Sequence, residues 1–380
     1  MNHNTYENTV SYAESVYEEQ LELLRTLGKI AAPSHQEDLR AAFVRDWMMA
    51  NGFPGVHIDD AKNVVAELGP DTEDICVFEA HTDVVFPDKE TLPMHEDDEK
   101  LHAPGIGDDT ANLVNLLFAA RYILKNNIPL TRRTLIIANS CEEGLGNLDG
   151  TKETFRRYGT RIKDFVSLDG NMGGCCNGAV GSYRYKVSVD VQGGHSYGDF
   201  PRPNAIAILA GMIQKLYAVE VPDEDKTTFN VGRIEGGTTV NSIAQHAEML
   251  YEYRSPSQKC LKIMEEKFDQ IVQECRESGE KITVEVLGIR PGNGDLDLKV
   301  LQEYSDRAAG IIRRFYDGEV GIHAGSTDAN IPLSMGIPSL TIGTVDGTGA
   351  HTREEYIVKK SMTPGLALAL SLLLTYSNID

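Results

Sequence analysis

The chain has little cysteine, six residues in 380. Cys175 and Cys176 are adjacent and the others scattered, which excludes a disulfide framework, and no C-x-x-C pair marks a zinc knuckle. A reduced, cytoplasmic setting is expected. Long apolar runs are also missing. The longest, Met362 to Tyr376, falls short of the roughly 20 residues that span a bilayer and contains Pro364 and Gly365. It reads as a buried C-terminal helix, and no membrane partner is expected. Met1 to Val10 show no basic segment followed by an apolar stretch, so no secretory signal is expected. Basic residues are in the minority: 36 Lys and Arg against 57 Asp and Glu leave a net charge of −21. That balance argues against nucleic acid or an anionic membrane as the main partner. There is no repeat, no low-complexity tract and no P-loop, and G-I-G-D-D lacks the spacing of a dinucleotide fingerprint.

What is present is a globular composition, 41% hydrophobic, in a length that suggests two or three domains. The first third alternates helix and strand. Tyr6 to Leu27 carries aliphatics at helical spacing. Ser34 and Glu37 form a capping box that should start a helix ending near Gly52. Short β-forming runs follow at Asn63–Leu68 and Ile75–Ala80, then a helix at Thr110–Asn127 and strands at Thr134–Asn139 and Phe165–Leu168. This rhythm implies a doubly wound, mainly parallel α/β sheet. From Tyr183 the order becomes β-α-β-β-α-β, that of a ferredoxin-like α+β sandwich. An α/β pattern returns after Pro291. The expected organisation is a catalytic domain in two parts, residues 1–182 and 291–380, interrupted by an inserted domain at 183–290.

The polar residues then fall into place. His81 and Asp83 stand in H-T-D, directly after the strand at 75–80. Asp108 and Asp109 stand in G-I-G-D-D before a helix. Glu142 and Glu143 in S-C-E-E-G and Asp169 in S-L-D-G each follow a strand, and His351 lies in G-A-H-T. In an open parallel sheet, ligands gather beyond the carboxyl ends of the strands, so the fold should converge residues that the sequence separates. Two imidazoles and several carboxylates without thiolate suit zinc, cobalt or manganese. One carboxylate can bridge two ions, which together generate a hydroxide nucleophile at neutral pH. A further carboxylate is then needed to manage the proton. Singly, each residue has a bland reading: Asp108 as an N-cap, Glu142–Glu143 as a solvated turn, His351 as a loop histidine, Cys141 as packing. Their joint order at strand ends outweighs those readings.

Together these motifs resemble the zinc-dependent peptidase family of peptidase T, aminoacylase, carnosine-type dipeptidases and glutamate carboxypeptidase, over nearly the whole chain. The resemblance implies two Zn2+ per subunit, with Co2+ or Mn2+ as substitutes. Asp108 would bridge them, His81 and Asp169 would complete one ligand set, and Glu143 and His351 the other. Asp83 would orient His81, and Glu142 would be the general base and acid. The segment G-G-H-S-Y-G-D-F-P resembles the one whose His reaches the active site of the partner subunit, which implies that His195 supports the oxyanion and that the insert makes a homodimer or serves as a lid. Asn241 in V-N-S-I and Arg254 in Y-R-S match positions that hold the substrate's carboxylate end. Ser326 and Thr327 in G-S-T-D-A-N match a substrate-facing loop. The expected reaction is cleavage of a peptide bond in a short peptide. The alternatives are an aminoacylase or other amidohydrolase acting on N-acyl amino acids, and a non-catalytic peptide-binding relative. One departure is Thr110, where peptidase T and many relatives have Lys.

Overall fold

The structure, a computed structural model, describes residues 3–277 and 281–378. It divides into two compact units, one running through Gly178 and resuming at Asp295, the other spanning Ala179–Gly294.

The first unit is built on an eight-stranded sheet. Its strand order is His57–Ile58, Val64–Leu68, Arg133–Asn139, Ile75–His81, Ile162–Met172, Ser339–Gly343, Gly174–Ala179 and Gly321–Gly325. The strands at 133–139, 75–81, 162–172 and 339–343 pair in parallel and form its centre. The strands at 64–68 and 174–179 join this centre antiparallel. Every residue of Ile75–His81 is buried, as a parallel strand covered on both faces requires. On one face Cys76, Phe78 and Ala80 join a cluster with the helices Ala111–Lys125 and Met362–Tyr376. On the other, Phe165 meets Phe155 of the helix Asp149–Tyr158, with ring centroids 5.9 Å apart. Each aliphatic side chain so buried contributes about 1.5–3 kcal/mol. The helix at 362–376 has the bounds expected of it, and no helix among the described residues is long and apolar enough to cross a membrane.

Two local expectations fail. The stretch expected as one helix from Tyr6 is two, His3–Ser15 and Tyr17–Leu27, because Val16 leaves the helical region at φ −112° and ψ 7°. The capping box does not form either. The next helix is Asp38–Ala50, with no side-chain cap. Ser34 instead donates to Asp83 Oδ2 at 2.7 Å, and the Glu37 carboxylate accepts from the backbone N–H of His35 and Cys141. For Ser34 a long-range partner outcompetes the local one.

The second unit is a four-stranded antiparallel sheet in the order Thr228–Gly236, His246–Ser255, Gly181–Asp190, Lys281–Arg290. In sequence the elements run β-α-β-β-α-β with helices Ala205–Tyr217 and Gln258–Glu277, the ferredoxin-like arrangement. Alternate residues Tyr183, Tyr185, Val187 and Val189 pack under the helices with Leu209, Leu261 and Phe268. Asn204 caps the first helix, its side chain accepting from the N–H of Ile206 and Ala207.

Candidate metal centre

Strand pairing in the first unit delivers the polar residues. His81 is the last residue of its strand and lies beside Asn139, the last of the neighbouring strand. Asp169 follows Leu168 in the strand on the other side. Asp108 sits in a tight turn, Ile106–Thr110, with φ −114° and ψ 84°, so it does not cap the following helix. The Asp108–Asp109 peptide is cis. His351 comes from a loop, at φ 64°.

These residues converge on Asp108. His81 Nε2 lies 3.1 Å from Asp108 Oδ1. His351 Nε2 lies 3.1 Å from Asp108 Oδ2 and 3.2 Å from Glu143 Oε2. Candidate ligand atoms of His81, Asp108 and Asp169 all lie within 4.8 Å of one another, and so do those of Asp108, Glu143 and His351. Two ligands held about 2.0–2.1 Å from one zinc at a tetrahedral angle stand about 3.3 Å apart, so these spacings fit ligands that share an ion. Glu143 Oε1 is buried without a hydrogen-bond partner, as a carboxylate awaiting a cation would be. The donor set fits two divalent ions.

The electrostatics agree. Burial pushes the His81 pKa down, but Asp109, Asp108 and Asp83 outweigh it, and the ring ends well above its ordinary value. Hydrogen bonds to Asp108 and Glu143 lift His351 to about 11. Burial, then the Asp108 charge, raises Asp169 to about 7. Burial opposes ionisation of Asp108 too, but His351 and His81 hold it below the usual carboxylate range. This is a crowd of negative charge that protons or metal cations must offset.

Asp83 meets both His81 and the glutamate pair. The closest partner of His81 Nδ1 is the carbonyl of Asp83 at 3.0 Å, while a carboxylate oxygen lies 3.4 Å away. The carboxylate, fully buried, accepts from Glu142 N at 3.0 Å and Glu143 N at 2.9 Å. It therefore fixes the backbone of the glutamate pair as well as standing beside His81. Sequence reasoning also missed Ser34, whose hydroxyl completes that carboxylate's partners, and Glu355. Glu355 is 2% exposed and accepts from the N–H of Gly105, Gly107 and Asp108. The sequence signal for it is an E-E pair just after His351. Thr110 accepts from the fully buried Arg40 at 3.1 Å, so a guanidinium reaches this position.

The remaining predicted residues are Ser326 and Thr327 of the first unit and His195, Asn241 and Arg254 of the second. Thr327 Oγ1 is engaged with Thr341 Oγ1 at 2.8 Å, and Ser326 precedes it. Their loop is anchored by Asp328, which accepts from Asn139 at 2.7 Å. In the second unit His195 is exposed, and its Nδ1 accepts from the N–H of Tyr197 and Gly198, which places the proton of the neutral ring on Nε2. Asn241 lies next to it, since its carbonyl accepts from Ser196 and His195 pairs with Ser242. Arg254 is held by Glu252 of its own strand, at 3.0 and 3.1 Å.

An α/β unit with a dinuclear-type ligand cluster at its strand ends and a ferredoxin-like insert defines the class of protein. Residues 77–375 match the peptidase family M20/M25/M40, and the chain belongs to that family of metal-dependent hydrolases. It is 27% identical over 303 residues to the uncharacterized protein YqjE of Bacillus subtilis, covering 78% of this chain and 79% of that one. It is 25% identical over 364 residues to a putative succinyl-diaminopimelate desuccinylase of Mycobacterium tuberculosis, covering 92% and 96%. The fold is similar to that of a tripeptidase from Staphylococcus aureus, with a TM-score of 0.75 and 20% identity, covering 95% of this chain and 98% of that one.

Proposed function

We propose that the chain is a two-metal exopeptidase acting on short peptides. His81, Asp108 and Asp169 hold one ion, and Asp108, Glu143 and His351 the other, with zinc the simplest choice and cobalt or manganese able to replace it. The observation that carries this reading is Asp108, each of whose carboxylate oxygens faces one histidine at 3.1 Å. When bound, two such ions polarise the scissile carbonyl and lower the pKa of a water.

The protein's own groups do the rest. Asp83 holds the amides of Glu142 and Glu143, so the two carboxyl groups leave the same turn. Glu142 takes the proton of the attacking water and passes it to the leaving amine nitrogen. His195, with its proton on Nε2, supplies a donor for the oxyanion. Asn241 and Arg254 bind the substrate's carboxylate end, and the loop with Ser326 and Thr327 faces the substrate.

The second unit supports a homodimer. His195 and Asn241 belong to the end of the sheet where the strand His246–Ser255 begins, and Arg254 to the end where it finishes. Eight residues of antiparallel strand span about 27 Å, more than a short peptide can bridge. If all three touch one substrate, His195 and Asn241 of the partner subunit join Arg254 of the first. The six cysteines are buried thiols outside any disulfide, which suits a reducing, cytoplasmic setting.

Similarity to a desuccinylase favours one alternative, hydrolysis of an N-acyl amino acid at the same site. A panel of di- and tripeptides against N-acyl amino acids, run with zinc, manganese and cobalt, separates the two. Glu142→Gln tests the chemistry: turnover falls by about 10²–10⁴-fold with both ions retained. Near-wild-type turnover of that variant would remove Glu142 as the base.

A further inference from the structure

Glu355 is a buried carboxylate that neither the ligand set nor the proton transfer uses. It is 2% exposed, and its partners are backbone N–H groups of one turn. Oε2 accepts from Gly105 at 2.7 Å, and Oε1 accepts from Gly107 at 2.7 Å and Asp108 at 2.9 Å. Successive N–H groups aimed at one anion make a nest, and charge-assisted bonds of this kind are about twice as strong as neutral ones.

The turn is shaped to receive it. Gly105 has φ 71°, and a Cβ there would come within 2.2 Å of Val84 Cγ1. A Cβ on Gly107 would meet Ile357 Cγ2 at 3.1 Å and Glu355 Oε1 at 3.3 Å. Gly105 thus keeps the turn packed on Val84, and a side chain at Gly107 would crowd the carboxylate.

The consequence falls on Asp108. Its backbone N–H is held by Glu355, while its side-chain oxygens face His81 and His351. Glu355 lies four residues after His351, so one short segment touches Asp108 twice, once at the amide and once at the carboxylate. Glu355 thus sets where the shared carboxylate stands relative to the histidine on its own segment.

We propose that Glu355 is the positioning residue of the two-metal centre. It holds the Gly105–Asp108 turn so that Asp108 presents one oxygen to each ion. The inference rests on the two-metal reading. Replacing a group that orients a ligand in this way typically costs 10–100-fold in metal affinity. In Glu355→Gln the side chain keeps its size, but an amide NH2 replaces one acceptor and faces an N–H donor.

The experiment uses the full-length protein. Cobalt is titrated into metal-stripped wild type and Glu355→Gln, with affinity read by chelator competition and the site by its d–d absorption. Thermal unfolding of the stripped proteins is measured in parallel. The expected result is a wild type that takes two ions, and a variant whose affinity for at least one falls 10–100-fold with an altered d–d spectrum. Its stripped form melts near wild type. Glu355→Asp, which keeps the charge on a shorter stem, retains more of the affinity than Glu355→Gln. Equal affinity and an unchanged spectrum in Glu355→Gln overturn the proposal. So does a stripped Glu355→Gln that is unfolded or melts far below wild type, because Glu355 would then be structural. A wild type that fails to take two ions overturns the two-metal reading itself.

Discussion

Asp83 offers a demanding test of how the site is assembled, because one carboxylate ties two other chain segments to its own. It accepts from Ser34 Oγ at 2.7 Å, Glu143 N at 2.9 Å and Glu142 N at 3.0 Å. Asp83→Asn is nearly isosteric but keeps only one acceptor oxygen. If the amide nitrogen takes the Oδ1 position it faces Glu142 N–H, and if it takes the Oδ2 position it faces Glu143 N–H. Ser34 can turn its hydroxyl, but a backbone amide cannot. In either orientation one buried N–H loses its acceptor, at a cost of about 1–3 kcal/mol. Because that N–H belongs to a glutamate of the site, the cost appears in the placement of Glu142 or Glu143. At about 1.4 kcal/mol per factor of ten, kcat/KM or metal affinity should fall roughly 5–150-fold. The assay is hydrolysis of the best substrate from the peptide and acyl-amino-acid panel, with metal content measured on the same samples. A variant with both ions bound at wild-type affinity and unchanged kcat/KM would refute the claim that Asp83 holds the glutamate turn.

Two further outcomes follow from groups outside the centre. Arg40 is fully buried and donates to the carbonyls of Leu27, Ile30 and Thr82 and to Thr110 Oγ1, so Arg40→Met strands several buried acceptors. It should destabilise the metal-free protein by roughly 3 kcal/mol or more, and an unchanged urea midpoint would contradict this. Glu96 is lowered to about 2, first by its hydrogen bond with Arg25 and then by Lys359. A depressed carboxylate pKa contributes stability above the ordinary value near 4.5 and loses it as pH falls toward 2. The difference in melting temperature between wild type and Glu96→Gln should therefore be largest at pH 6 and shrink steadily between pH 5 and 3. A gap that does not vary with pH would refute it.

Legibility in the sequence tracked the range of the interaction. The strand at 75–81, the ferredoxin-like order and the helix at 362–376 are visible because period, turn residues and length are local properties. The two candidate ligand sets were reachable because His81, Glu143 and Asp169 lie at or just beyond the carboxyl ends of neighbouring strand cores, where topology alone brings them together, while Asp108 and His351 come from a turn and a loop. What escaped depends on partners far along the chain. Ser34 looks like half of a capping box but reaches Asp83, and Glu355 looks like a solvated acid but binds a turn about 250 residues earlier. Val16 breaks a helix that its aliphatic spacing would continue. The edge strand Gly321–Gly325 lacks a pattern of its own, with four of its five residues exposed.

The central claim is that Asp108 is shared between two metal ions. The direct measurement is a crystal of the zinc-loaded protein with anomalous scattering recorded on both sides of the zinc absorption edge. Two peaks are predicted, one on each side of the Asp108 carboxylate. One should contact His81 and Asp169, the other Glu143 and His351. A single peak, or zinc bound only elsewhere, would contradict it.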